Sequence, residues 1–357
     1  MVVGAFFGGQ NDLEVARPRG RLEKQPVGLP QRHAPGFNFE ETMKPLPIDV
    51  VIPVHNAAAW VGGALDSLLD QKEVLGQIIV VDNNSTDDSM LAVQRWASNH
   101  PDIPLIATKE TTPGACAARN KGLEHVETEW VQFLDADDVL LPGKMALQAA
   151  LTAAADVVFG EFWFEREGRR SEGWRMEDHV DVGLAHGRLG NTCCNLFRTA
   201  AVLEVGGWDE NLPSAQEYDL MFRLRQMGKR FQKSFDRLTV VRLFPEGRIS
   251  TGNESRRRRQ SFDLRLRMLS WMLSDSSPAL DSGAQQRVLN ALFNVTRWLE
   301  PWQPEEAAKG YLALQKFNHR PSVDIQLPLW FVSLARLIGA KHAARLRHRV
   351  LNTILKP

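Results

Sequence analysis

No stretch of this chain reaches the roughly 18 apolar residues that a membrane-spanning helix needs, and the nearest, LPLWFVSLARLIGA from Leu327, is shorter and contains Arg336. A membrane span is not expected. The three cysteines, Cys116, Cys193 and Cys194, offer no C-x-x-C pair and no even framework, which argues against zinc and against disulfides. They read as small apolar groups in a reducing compartment. Neither sign of charge is in surplus, because 43 Lys and Arg meet 43 Asp and Glu, so no net field gathers nucleic acid from a distance. Electrostatic work must be local. The opening MVVGAFFGG lacks the basic leader and full apolar core of a signal peptide. Up to about residue 46 the chain is mostly Pro, Gly and charge without period, so residues 1–46 are expected to form an unstructured leader, with Met43 as the native start.

What is present begins at Ile48. Short β-branched runs alternate with helical patterns: IDVVIPV, a helix over residues 59–71, QIIVVD, a helix through Trp96, PLIAT, a helix from Ala115, and WVQFLD. That alternation predicts an α/β fold with a mostly parallel sheet and right-handed crossovers. Ligands of such open sheets sit outside the carboxyl ends of the strands. Asp82 and Asp135 both fall at strand ends, so that edge is the candidate site. Beyond it, ADVVFGEFWFEREG reads as a strand pair, and NLFRTAAVLEVGGWDE and SAQEYDLMFRLRQMG read as two helical units joined by a Gly-rich turn. After Ser255 the chain turns helical and increasingly basic, and residues 327–357 contain no Asp or Glu.

FLDADDVLLPG crowds Asp135, Asp137 and Asp138 at the end of a buried strand. Neighbouring carboxylates raise one another's pKa unless a cation or hydrogen-bond donors offset the repulsion. The cluster is therefore either a solvated turn with Asp138 capping a helix near Pro142, or a site where Asp135 and Asp137 join a hard divalent cation to phosphate oxygens. In VVDNNSTDDS, Ser85 and Asp88 have capping-box spacing, which assigns Asp87 and Asp88 to capping and leaves Asp82 for a nucleobase, a ribose hydroxyl or neighbouring amides. Arg119, in TPGACAARNKG, can meet a phosphate or lock the acidic cluster by an ion pair, the second role being favoured. Ser214 and Glu217 again have capping-box spacing before a helix ending at Gly228, which favours a cap, yet a first-turn glutamate facing a cleft also suits a general base.

Trp163 reads as core, and Trp208 as either core or a sugar platform. Arg256 to Arg259 read as a solvated face or an anion-facing lid. Trp330, Phe331, Leu334, Leu337, Leu346, Val350 and Ile354 stand among arginines in a pattern that fits a membrane-surface helix as well as one packed on the main domain.

VVIPVHNAAAWVGGALDSLLDQ, VVDNNSTDDS, GACAARNKGL, WVQFLDADD, VGGWDENL and QEYDLMFRLRQMG together resemble, in order, the family 2 glycosyltransferases, over roughly residues 48–250. The resemblance implies a GT-A, Rossmann-like sheet with helices on both faces. The chain then divides into the leader, a catalytic domain over 47–255 and a basic helical region over 256–357. It implies that Pro53, His55, Asn56, Asp82, Asn84, Arg119, Asp135 and Ala136 line the nucleotide-sugar site, that Asp137 with Asp135 holds Mg²⁺ or Mn²⁺, and that Glu217 is the catalytic base.

The sequence departs from the family in three places. Gln216-Glu217 stands where a Glu-Asp pair is usual, Asn83-Asn84 where many relatives have Asp-Gly, and His55 replaces a frequent Tyr. The implied activity is inverting transfer from a nucleotide-sugar, expected to be a UDP-sugar, to a hydroxyl of a cell-surface glycan or lipid-linked acceptor. The implied place is cytoplasmic, with peripheral contact at the inner membrane face. A nucleotidyltransferase would want an early Gly-rich signature that PVHNAAAW does not offer, and a catalytically silent nucleotide-sugar-binding or scaffold domain would keep Asp82 and lose the base.

Overall fold

The computed structural model describes residues 46–243, 254–319 and residue 333. The leader, the start at Met43 and the acid-free segment over 327–357, apart from residue 333, lie outside the described residues.

The first half alternates as expected. β1 (Ile48–Val54), α1 (Val61–Asp66), β2 (Leu75–Asp82), α2 (Ser89–Asn99), β3 (Leu105–Lys109), α3 (Ala115–Leu123) and β4 (Trp130–Phe133) follow one another. Then come β5 (Val139–Leu140), α4 (Lys144–Ala149), β6 (Val157–Arg166), β7 (Arg169–Glu172) and α5 (Val180–His186). β8 (Leu196–Arg198), α6 (Thr199–Glu204), α7 (Gln216–Gln226) and β9 (Phe231–Arg242) lead into three long helices, α8 (Glu254–Met272), α9 (Ser282–Leu299) and α10 (Pro304–Lys316).

The strands form one sheet in the order β3-β2-β1-β4-β8-β6-β9-β5, with β7 on β6. β3, β2, β1 and β4 run parallel, and the rest is mixed, since β8 is antiparallel to both β4 and β6 while β9 runs parallel to β6. The segment beginning NLFRTAAV is thus not helical from its start. Leu196–Arg198 is a strand, because β4 and β6 both need an edge partner there, and three residues are too few to show a period.

Both sheet faces are covered, which is why VVIPV of β1 and IIVV of β2 read as apolar runs rather than alternating ones. Val51, Ile79, Val81, Val131 and Phe133 point to one face, where α3 and α5–α10 share a single apolar core. Val50, Ile52, Val54, Ile78 and Val80 point to the other, against α1, α2 and α4. No described helix is long and apolar enough to cross a membrane. Among α8–α10, Arg258 donates to the Trp298 carbonyl and Arg259 pairs with Asp263 and Glu306, so part of the Arg256 to Arg259 run ties helices together rather than facing an anion.

α3 lies unusually close to β1, because Gly122 has no side chain there. A Cβ at Gly122 would stand 2.3 Å from a Val51 methyl. Gly122→Ala is expected to destabilise the protein by about 1–3 kcal/mol through overpacking, which urea denaturation measures directly.

Candidate functional site

Parallel register brings the expected residues to one edge. Val54 lies beside Asp82, Asp82 beside Lys109, and Val51 beside Phe133, so the chain after β1, β2 and β4 emerges together. Pro53 is buried inside β1, while His55 and Asn56 are exposed just past it. Asn56 and Asn84 both hold left-handed backbone, φ +49° and +60°, a conformation that asparagine tolerates better than most residues. At Asn84 this is the geometry that a glycine in relatives would favour. The Asn56 Oδ1 accepts from the Thr86 amide at 2.8 Å, and His55 Nδ1 lies 2.6 Å from the Asn83 carbonyl, so the two loops are stitched together.

Asp82 accepts the Ser85 amide at 3.0 Å, the local bond expected of a strand-end aspartate. Asn83 is buried: its amide donates to the carbonyls of Glu110 and Thr112 and its Oδ1 accepts from Gly114, which fixes the loop before α3. The Ser85–Asp88 capping box does not form. α2 starts at Ser89, its N-cap Asp88 makes no side-chain cap bond, and Asp87 instead accepts the amides of Ser89 and Ala58.

Arg119 sits at 0 % exposure beneath the acidic turn. One guanidinium nitrogen donates to Asp135 Oδ1 at 2.7 Å, the other to Gln216 Oε1 at 3.2 Å, and the group lies 4.6 Å from the Trp208 ring centroid. At that depth Arg119 locks Asp135, the second of the two roles its sequence context offered. Trp208 is core: it is buried, packs edge-on against Phe133, and its backbone is clamped by the Asn120 side chain. Trp163 is half-buried under Arg237.

Asp135, Ala136, Asp137 and Asp138 are all buried. Asp135, Asp138 and Cys193 present ligand atoms within 4.8 Å of one another, a trio that does not include Asp137. Cys193 had no reason in sequence to be singled out, since it meets residues more than 50 positions away. Its thiol accepts from the Asp135 amide and donates to Asp138 Oδ2, each at 3.2 Å. Burial, with the charges of Asp135 and Asp138, pushes that thiol far up, so it stays protonated and is a poor ligand for a hard cation. Burial, with the charges of Asp137 and Asp135, likewise holds the Asp138 carboxyl well above its usual range. The hard carboxylate oxygens gathered in this turn are a donor set that fits one Mg²⁺- or Mn²⁺-like ion.

Glu217 does not cap. α7 begins at Gln216 after Ala215, which is left-handed at φ +61°, no side chain caps the helix, and Ser214 Oγ donates to Gln260 instead. Among the described residues Glu217 Oε2 has no hydrogen-bond partner, and burial pushes its carboxyl up to about 7. That is where a general base operates best near neutral pH. Sequence reasoning missed the role of Gln216, which spans from the Leu212 carbonyl to Arg119 and so links the acidic turn to the helix carrying Glu217.

Residues 49–202 match the profile described as Glycosyl transferase family 2. "Uncharacterized glycosyltransferase YibD" of Escherichia coli is 34% identical over 128 residues, 32% of this chain and 37% of that protein. The "GalNAc(5)-diNAcBac-PP-undecaprenol beta-1,3-glucosyltransferase" of Campylobacter jejuni is 32% identical over 127 residues, 35% of this chain and 41% of that one. The chain spans well under half the length of these curated relatives. In fold it resembles S. aureus TarS 1-349 in complex with UDP-GlcNAc, at TM-score 0.52 and 16% identity over 78% of this chain and 94% of that one. It also resembles the mannosyltransferase PcManGT of Pyrobaculum calidifontis in complex with GDP-Man and Mn²⁺, at TM-score 0.51 and 19% identity over 87% and 88%.

Glu217 makes stability pH-dependent. Its carboxyl moves from 4.5 to about 7 on burial, so the contribution is fully present below about 4.5 and is lost as pH rises through about 7. Stability is expected to fall by about 3 kcal/mol across that window, and Glu217→Gln to flatten the fall. Thermal melts of both proteins across the same range check it, and an unchanged slope in the variant would assign the effect to other groups.

Proposed function

Residues 49–202 belong to glycosyl transferase family 2, and from that premise we propose that the protein transfers a sugar from a nucleotide-sugar to an acceptor hydroxyl with inversion at the anomeric carbon. The observation that carries this reading is Glu217: a buried carboxylate with a partnerless oxygen and a pKa near neutrality, joined through Gln216 and Arg119 to the acidic turn. Glu217 takes the proton of the acceptor hydroxyl as the oxygen attacks, and the nucleoside diphosphate departs from the opposite side of the sugar. One base and one displacement give inversion.

Asp135 and Asp137 are the residues that would hold Mg²⁺ or Mn²⁺. That ion, when bound, supplies Lewis-acid stabilisation of the leaving diphosphate. Arg119 fixes the Asp135 carboxylate so that it need not reorganise when the donor arrives. Pro53, His55, Asn56, Asp82, Asn84 and Ala136 line the nucleotide end, with Asp82 reading the base. A UDP-sugar is the donor we favour, as with the UDP-GlcNAc bound by TarS, although PcManGT carries GDP-Man. The acceptor is a cell-envelope glycan or a lipid-linked precursor, the class named for the Campylobacter relative.

Glu217→Gln is expected to bind donor as the wild type does and to lower turnover by about 10²–10⁴-fold. Asp137→Asn is expected to lose the extra thermal stabilisation that Mn²⁺ adds to donor binding. A thermal-shift screen of nucleotide-sugars with and without Mn²⁺, followed by donor-consumption assays, measures both. Stabilisation by no donor at all, or full turnover by Glu217→Gln, would sink the assignment.

A further inference from the structure

The helix that carries Glu217 starts without a side-chain cap and after a left-handed alanine, and Gln216 alone ties its first residue to the Leu212 carbonyl and to Arg119. Further contacts to that turn come from α8. Three residues before Glu217, Ser214 Oγ donates to Gln260 Oε1 at 2.6 Å. Two residues after it, Asp219 is 2 % exposed and accepts from Arg267, as well as from Arg223 of its own helix. Between those two α8 contacts stands Arg265, 3 % exposed, whose Nε donates to the Ala185 carbonyl at 3.1 Å. Phe262, Leu264, Met268 and Leu269 of α8 are buried in the same core as Leu220 and Phe222 of α7. Neither α7 nor α8 lies within the segment that matches the family profile.

We propose that α8 is a positioning element of the candidate base: Gln260 and Arg267 hold the chain on either side of Glu217, and the buried Arg265 stands between them on the same helix. The positioning stands on geometry. Its catalytic meaning rests on the reading of Glu217 as base, so the test separates the two. The groups that act on Glu217 are Arg119 and Cys116 of α3, Asp135 beyond β4, Tyr218 of α7 and Arg265. Burial pulls Arg265 down to about 10, pushes Cys116 up to about 12, and raises Tyr218 further from neutrality. Asp135 and Arg119 stay ionised as a pair, so between about pH 5 and pH 8 Glu217 alone changes charge within this set.

The experiment is a thermal-melt cycle at about pH 5 and pH 8 on the full chain, comparing wild type, Arg265→Met, Glu217→Gln and the double variant. Removing the cation penalises ionised but not protonated Glu217, so the melting-temperature loss in Arg265→Met should be larger at pH 8 by about 3 °C or more. That excess should vanish in the Glu217→Gln background and be largely absent from Arg265→Lys. A loss equal at both pH values, or an excess that persists when Glu217 is Gln, overturns the proposal. If Arg265→Met does not fold at neutral pH, folding of the double variant supports it and failure of both refutes it. Where a donor is turned over, the acid limb of the kcat/KM profile should move up by about one pH unit in Arg265→Met. An absence of turnover in wild type would defeat the assigned activity and leave the stability cycle to judge α8.

Discussion

A guanidinium with no access to water must have its charge answered inside the protein, and that requirement organises this molecule around Arg119. Asp135 answers the charge directly, Gln216 adds a neutral acceptor, and the face of Trp208 adds its quadrupole. These partners come from the turn after β4 and from the loop between α6 and α7 with the first residue of α7, pieces of chain far from Arg119 in sequence. Removing either charge would leave the other buried and unanswered. The pair therefore sets where the acidic turn and the α7 terminus stand relative to each other, which is the distance that matters for any reaction spanning them.

The acidic turn is tolerated by unequal division of its charge. Asp135 is ionised against Arg119, whereas Asp138 is driven toward its protonated form by burial and by its neighbours. Cys193, also kept protonated, completes the Asp138 environment as a donor. Two carboxylates three positions apart thus hold opposite protonation preferences, and the difference arises from which one faces a cation.

Much of this was legible in the sequence, for identifiable reasons. IDVVIPV is buried on both faces, so from Val50 onward it reads as one apolar run, and its strand bounds match the sequence expectation to the residue. Asp82 and the turn from Asp135 emerge at one edge because parallel strands with crossover connections leave no other place for them. The errors cluster where local rules were asked to decide tertiary questions. Ser85 with Asp88, and Ser214 with Glu217, have the right spacing for capping, but Ser85 accepts the Asn56 amide and Ser214 is taken by Gln260. Both competing partners lie nearly 30 or more positions away. Leu196–Arg198 is a strand because of what flanks it in space. Gln216 and Arg119 are 97 positions apart, and no spacing rule reaches so far.

One apolar cluster runs from the sheet face through α3 and α5–α10, reaching Leu314. A chain made from its amino end must therefore release almost everything described here before that layer can close. The crossover half, with its short loops and neighbouring strands, has its own partners early, whereas α7 waits for α8, which begins only at Glu254, and for the helices after it. Order during biosynthesis thus reaches α7 last, well after the crossover half has closed on its own partners.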